Sequence, residues 1–392
     1  MCVNKTMTPC PACNGETQFL INWEYSGLDD SIFNYIADFV ECIYCGLLFI
    51  ENVTDERLSI FYDKECSYFE RSHFDIKAPD NIRKYETYRE IIVSAGLSGI
   101  PITDVGCGRG GFLIWLNSTN WRASCQGVDI DVKSIPAVSS TTNENATGVN
   151  FQEGGAFKLP FASGTQAILT YFHVLEHVRR IDSVLKEAFR VLSSNGHIMI
   201  EVPDAGRYSE FPVGTAFWPG IREHINHFTP GSICHALKRH GFEKFHIKRG
   251  VLPTPEFSYP SLIVLARKSE SGVKTESYEH GNIASFIIES RKALEAQAES
   301  LSEFCVNFPT ATFWGCSSEL FSLLPMINMS AFSICDSSKF KQKCYFRGIP
   351  ISDPATMHKD GALVVAPYLH GDIIEKAAID MGWQKEAIFR LR

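Results

Sequence analysis

No apolar run in this 392-residue chain approaches the roughly 20 residues that a membrane-spanning helix requires. The opening residues, MCVNKTMTPCPAC, lack the apolar core of a signal peptide, so a cytoplasmic location is the expectation. No basic run occurs either, and the net charge is −8. That balance gives no electrostatic case for nucleic acid or an anionic membrane as partner. Long internal repeats and low-complexity tracts are also missing, which excludes solenoids and fibrous architectures. Disulfide logic fails too: thirteen cysteines, an odd number scattered over a long chain, fit reduced thiols or metal ligands better than a secreted framework.

What is present starts with two CxxC pairs, Cys10–Cys13 and Cys42–Cys45, each with a glycine close behind (Gly15 and Gly46). Such knuckle turns aim two thiolates at one ion, and four thiolates make a closed, structural zinc site with no place for a reacting water. The 28 residues between the pairs, rich in aromatic and apolar side chains, fit a β-hairpin over Thr17–Phe39.

The second signal is a glycine turn. A strand at Ile100–Val105 runs into Gly106-Cys-Gly108-Arg-Gly110-Gly111, a helix follows over 110–118, and a strand over 124–129 ends on Asp129. Glycines let backbone approach a ligand, and an acid about 20 residues on suits the hydroxyls of a ribose. Gly106, Gly108 and Gly111 satisfy GxGxxG, so a dinucleotide fits; Gly106, Gly108 and Gly110 equally satisfy DxGxGxG with Asp104 in front. An acid there can reach the amino group of an amino-acid moiety, which S-adenosylmethionine has and a dinucleotide lacks.

Strand and helix patterns alternate from 100 to 267: strands at 166–172 and 197–202, a helix at 180–192, a helix capped by Thr229 and Pro230 and closed by Gly241, and a strand at Ser261–Arg267. That rhythm predicts a mostly parallel sheet with flanking helices. Asn81–Ala95 and Ile283–Glu303 read as helices, Lys268–Glu279 as a linker. A second α/β pattern begins at Thr310–Trp314, with strands at Ala331–Asp336 and Ala362–Ala366 and a helix at Gly371–Met381. The expected organisation is a zinc-binding module at 1–60, a helical connector at 61–99, a Rossmann-like α/β domain at 100–268, a linker and helix at 269–303, and a smaller α/β domain at 304–392.

The glycine turn, Asp129, Tyr171-Phe-His-Val-Leu-Glu-His-Val178, Leu185–Leu192 and the strand His197–Val202 occur in order. Over roughly residues 80–268 this set resembles the class I S-adenosylmethionine-dependent methyltransferases. The resemblance implies that Gly106, Gly108 and Gly110 border the methionine part, that Asp129 holds the ribose, and that Phe172 lies near the cofactor. The family often has an acid for the adenine amino group where Gly155 stands, so backbone near Ala156 is the expected substitute.

With the CxxC module in front and the α/β unit behind, the chain also resembles nucleotide-sugar C-methyltransferases, which act on 4-keto-deoxyhexoses. Their Tyr-x-Glu-His motif falls on Ile221-Arg-Glu223-His224, with isoleucine in place of tyrosine, and His177 matches a histidine after the fourth strand. C-methylation beside a ketone needs a base and a stabiliser of the enolate oxygen. The expected roles are His224 as base, Glu223 orienting it, and His177 near that oxygen. Tyr68 could line the pocket, and Arg207 or Arg222 could meet a diphosphate. The acceptor is then a small molecule, a nucleotide-linked keto sugar. O- or N-methylation of a small metabolite is the alternative within enzymes, and a degenerate fold serving as a binding scaffold is the alternative outside them.

Overall fold

The computed structural model describes residues 7–62, 75–131, 148–211, 213–253, 257–269, 282–329 and 331–392. Tyr68 and nearly all of the expected linker lie outside the described residues. Three sheets organise the described residues. The first is antiparallel and holds β1 (Thr17–Tyr25), β2 (Tyr35–Cys42) and β3 (Leu48–Ile50). β1 and β2 pair in the hairpin that the spacing of the cysteines predicts.

The central sheet contains β4 (Ile102–Val105), β5 (Cys125–Asp129), β6 (Val149–Glu153), β7 (Gln166–Phe172) and β8 (Leu192–Pro203). A two-residue strand, β9 (Asn226–His227), leaves this part of the chain and pairs with β3, closing the first sheet. β10 (Phe242–Pro253) and β11 (Ser258–Lys268) complete the central one. Its order is β10-β11-β8-β7-β4-β5-β6; β8, β7, β4, β5 and β6 run parallel, while β11 is antiparallel to both neighbours. β4 is buried along its whole length, as expected of a strand covered on both faces. The helix Ile181–Val191 buries Ile181, Val184, Leu185, Ala188 and Val191, a stripe at helical spacing against the sheet.

Helix Pro230–Arg239 starts as its sequence predicts. The Thr229 hydroxyl accepts from the Ser232 N–H and the Ser232 hydroxyl accepts from the Thr229 N–H. β6, β9 and β10 have no counterpart among the strands read from sequence, because their patterns are polar, short or interrupted by charge. β8 begins at Leu192, five residues before the strand expected from residue 197.

The third sheet is formed by β12 (Ala311–Trp314), β13 (Phe332–Cys335), β14 (Tyr345–Phe346), β15 (Ile349–Ser352), β16 (Ala362–Val365) and β17 (Ile388–Arg390). All but β14 run parallel. The long helix Ile283–Cys305 buries Ile283, Ile287, Ser290, Leu294, Ala298 and Leu301 in the core that links the central part to this sheet. Among the described residues no helix is long and apolar enough to cross a membrane.

Candidate active site

The turn after β4 makes the first half of the site. Gly106, Gly108 and Gly110 adopt φ of 72°, 53° and 71°, the left-handed region that a side chain disfavours. The Gly106 N–H donates to the Val128 carbonyl at 2.8 Å, tying the turn to β5. The Gly108 N–H donates to Asp129 Oδ2 at 2.8 Å, and the Asp131 N–H donates to Oδ1 at 3.0 Å. Both oxygens keep a lone pair for further donors, as ribose hydroxyls require. A Cβ on Gly108 would meet nothing within 4 Å, so the backbone there borders open space.

Asp104 lies beneath the turn, buried, and accepts from the Thr170 hydroxyl at 2.6 Å. Burial pushes its carboxyl up to about 7, opposed by that hydrogen bond and reinforced by Asp129. A neighbouring ammonium would favour the ionised form. Past Asp129, Ile130 is 61% exposed, and a Cβ on Gly155 would touch only the Ile130 side chain, at 3.9 Å. The backbone at Gly155 therefore borders open space beside Ile130, with Ala156 partly buried next to it, which leaves room for an adenine ring. Phe172 is packed tightly: its ring stacks on Tyr88 at 3.9 Å between centroids and meets Phe112 edge-on. These residues together fit an adenosyl cofactor with an amino-acid tail.

The second half sits at the carboxyl end of β7, next to the first. Val174 touches the turn so closely that a Cβ on Gly106 would stand 2.6 Å from its Cγ2. His173, at the strand end, has a φ of 57°, a strained value for a residue with a side chain. Its Nδ1 lies 2.9 Å from Glu176 Oε1, and its Nε2 lies 2.6 Å from the Tyr259 hydroxyl and 3.4 Å from Glu201 Oε2. Burial works against the charged imidazole, but Glu201 and Glu176 outweigh it and raise the His173 pKa to about 10. Glu201 also accepts from Ser261 at 2.6 Å, from Tyr259, and from the Tyr88 hydroxyl. His173 is thus held between two buried carboxylates, which favour its charged form.

One turn on, His177 and His224 meet edge to face with ring centroids 4.8 Å apart. Tyr62 packs its ring edge-on against His177. His224 is held well below the ordinary imidazole range, first by burial and then by His177, His227 and His173. Glu223 contributes its backbone: its carbonyl accepts from His177 Nδ1 at 3.1 Å. Among the described residues no hydrogen bond joins its side chain to His224. The carboxylate beside the imidazole pair is that of Glu176.

The expected residues thus fall into two adjoining groups, Asp104–Gly110 with Asp129 and His177 with His224. Glu176, His173 and Glu201 escape the sequence reading; Glu176 adjoins His177 in the chain, and that adjacency was the available signal. Arg207 donates to the Gly250 carbonyl and pairs with Glu210, while Arg222 lies over the Phe33 ring near Ser26 and Ser31, so both are engaged within the fold. Cys10, Cys13, Cys42 and Cys45 converge, with sulfurs 3.6 Å (Cys10 to Cys45) and 3.4 Å (Cys13 to Cys42) apart. Knuckle N–H groups of Ala12 and Gly15 donate to Cys10 and Cys13. Sulfurs about 2.3 Å from a tetrahedral ion would stand about 3.8 Å apart, so the set fits zinc closely.

Residues 82–247 match a family model described as a methyltransferase domain. The chain is 26% identical over 107 residues to a ubiquinone biosynthesis O-methyltransferase of Cupriavidus pinatubonensis, covering 27% of this chain and 42% of that one. It is 24% identical over 151 residues to a demethylmenaquinone methyltransferase of Lactococcus lactis, covering 38% and 58%. The chain spans about half the length of these curated relatives. Among solved structures, a Burkholderia thailandensis 1,6-didemethyltoxoflavin-N1-methyltransferase superposes with a TM-score of 0.39 at 15% identity, covering 55% of this chain and 86% of that one. The residues that match the methyltransferase-domain model carry the Rossmann-like fold of the class I methyltransferases.

Proposed function

We propose that the protein transfers a methyl group from S-adenosylmethionine to a small molecule, and specifically to the carbon beside the ketone of a nucleotide-linked keto-deoxysugar. The observation that carries this reading is the contact of the two half-sites through Val174, which sets an imidazole pair beside a cofactor turn at the carboxyl ends of β4 and β7. The bound cofactor supplies an electrophilic methyl group on a sulfonium. Asp104 would meet its amino group, Asp129 would take the ribose hydroxyls, and the open space beside Ile130 and Gly155 would take adenine. His224 removes the proton beside the ketone and His177 lies at the enolate oxygen. Glu223 acts through its carbonyl, which fixes the ring of His177. Most of the rate advantage comes from holding the carbanion in line with the methyl group. Zinc in the four-cysteine cluster is structural; through β3 it braces β9, which begins two residues after His224.

The acceptor class rests on the order of parts along the chain. Transfer to a hydroxyl is the second reading, favoured by the O-methyltransferase among the relatives, and His224 would deprotonate that hydroxyl instead. One experiment separates them: incubation with S-adenosylmethionine and a panel of nucleotide-linked 4-keto sugars in deuterated water, followed by mass spectrometry. C-methylation washes deuterium into the position beside the ketone, and O-methylation does not. Absence of methylated product from every keto sugar would remove the sugar reading.

A further inference from the structure

Beside the cofactor turn, three side chains offer lone pairs to a single point. A carboxylate oxygen of Glu176, a ring nitrogen of His177 and a ring nitrogen of His224 all lie within 4.8 Å of one another. The tautomer of His177 follows from its partner. Its Nδ1 faces the Glu223 carbonyl, which only accepts, so Nδ1 carries the proton and Nε2 keeps the lone pair. Glu176 is 0% exposed; its Oε1 accepts from His173, while its Oε2 is buried with no hydrogen-bond partner among the described residues. A buried carboxylate oxygen left so is costly, and a cation is what relieves it.

The surroundings have the form that metal ligands need. A ligating imidazole commonly donates its other N–H to a carbonyl, and a ligating carboxylate is itself hydrogen-bonded. The Glu223 carbonyl does the first for His177. His173, anchored by Tyr259 and Glu201, does the second for Glu176.

We propose that Glu176, His177 and His224 bind one divalent transition-metal ion of the zinc, cobalt or nickel class, at a site separate from the four cysteines. Two imidazoles and a carboxylate suit these ions, whereas magnesium and calcium prefer oxygen alone. Donors about 2.1 Å from an ion stand roughly 3 to 3.5 Å apart. His177 Nε2 lies 3.9 Å from Glu176 Oε1, the oxygen bonded to His173, so a small turn of the carboxyl that brings the unpartnered Oε2 forward closes the site. The ion takes the His224 lone pair. Resting on the methyl-transfer reading above, it follows that bound ion and turnover exclude one another.

The test uses the full chain with its cysteine cluster first loaded with zinc, titrated with cobalt(II) chloride and followed by absorption. The expected result is one cobalt per chain with visible ligand-field bands and without the intense near-ultraviolet bands of thiolate coordination. Affinity falls well over 100-fold in Glu176→Gln and in His177→Gln, beyond the roughly 10- to 100-fold cost of losing a supporting contact. Absence of those bands overturns the site, as does equal affinity in folded variants; His224→Gln replaces either variant that circular dichroism finds unfolded. Cobalt that binds as described yet leaves turnover undiminished keeps the site and removes His224 as the base.

Discussion

Two turns in this molecule are built alike and differ in what they leave open. In the central domain, β4 runs into Gly106 and β5 ends on Asp129; in the C-terminal sheet, β12 runs into Gly315 and β13 leads to Asp336. The glycine N–H donates to the neighbouring strand at 2.8 Å in both. Asp336 accepts from the Cys316 N–H at 2.8 Å and from the Ser338 N–H at 2.8 Å, mirroring Asp129 with Gly108 and Asp131. Yet Lys341 reaches Asp336 at 3.2 Å and the Cys316 carbonyl at 2.8 Å, closing the second turn from within. Two residues before the glycine, the first unit has Asp104 and the second has Phe313. A strand–glycine–helix–strand–acid frame is therefore a way of folding, and the first turn differs in having open space at Gly108 and a second acid, Asp104.

The largest expected effect separates the two glycines. A Cβ on Gly315 would stand 2.4 Å from Pro367 at a φ of 106°, so Gly315→Ala should cost about 3 kcal/mol in thermal unfolding and leave cofactor affinity unchanged. Gly108→Ala should cost only about 1 kcal/mol in stability, because nothing lies within 4 Å, while weakening S-adenosylmethionine binding at least about tenfold. Like behaviour of the two variants in unfolding and calorimetry would break the comparison.

Asp104 provides a pH test that the second unit cannot mimic. Burial lifts its carboxyl from 3.8 to about 7, with Asp129 adding to the lift. Between those values the folded chain holds a proton that the unfolded chain releases. The ligand-free protein should therefore gain stability as pH falls through 7 toward 4, and lose it as pH rises through that window. Cofactor affinity should run the other way, rising from pH 6 to 8 as the carboxylate forms for the ammonium group. Asp104→Asn should flatten both slopes, as read by thermal melts and calorimetry across pH.

The smallest effect belongs to Lys341. Its ion pair is over a third exposed on the lysine side, so Lys341→Ala should change stability by less than about 1 kcal/mol and leave cofactor binding alone. A new cofactor site appearing in that variant would mean that Lys341 alone separates the turns.

Much of this was readable before the structure. Glycines with an acid on the next strand, and paired cysteines with trailing glycines, are local patterns whose chemistry depends on neighbours in sequence. The long amphipathic helices were readable for the same reason. What could not be read depends on chain folding. Nothing local tells that β9 leaves the central domain to complete the first sheet, or that Glu201 on β8 reaches His173 on β7. Glu176 stands in a legible motif, but its place between His173 and His177 depends on how the 175–177 turn meets Glu223 and His224.

The central claim is that the turn from Gly106 to Asp129 holds S-adenosylmethionine and that its C-terminal counterpart does not. Titration calorimetry of the wild type, Asp129→Ala and Asp336→Ala tests it most directly. One site per chain of micromolar or tighter affinity, weakened roughly 100-fold in Asp129→Ala and unchanged in Asp336→Ala, is the predicted result. Absence of binding to the wild type, or equal losses in the two variants, would contradict it.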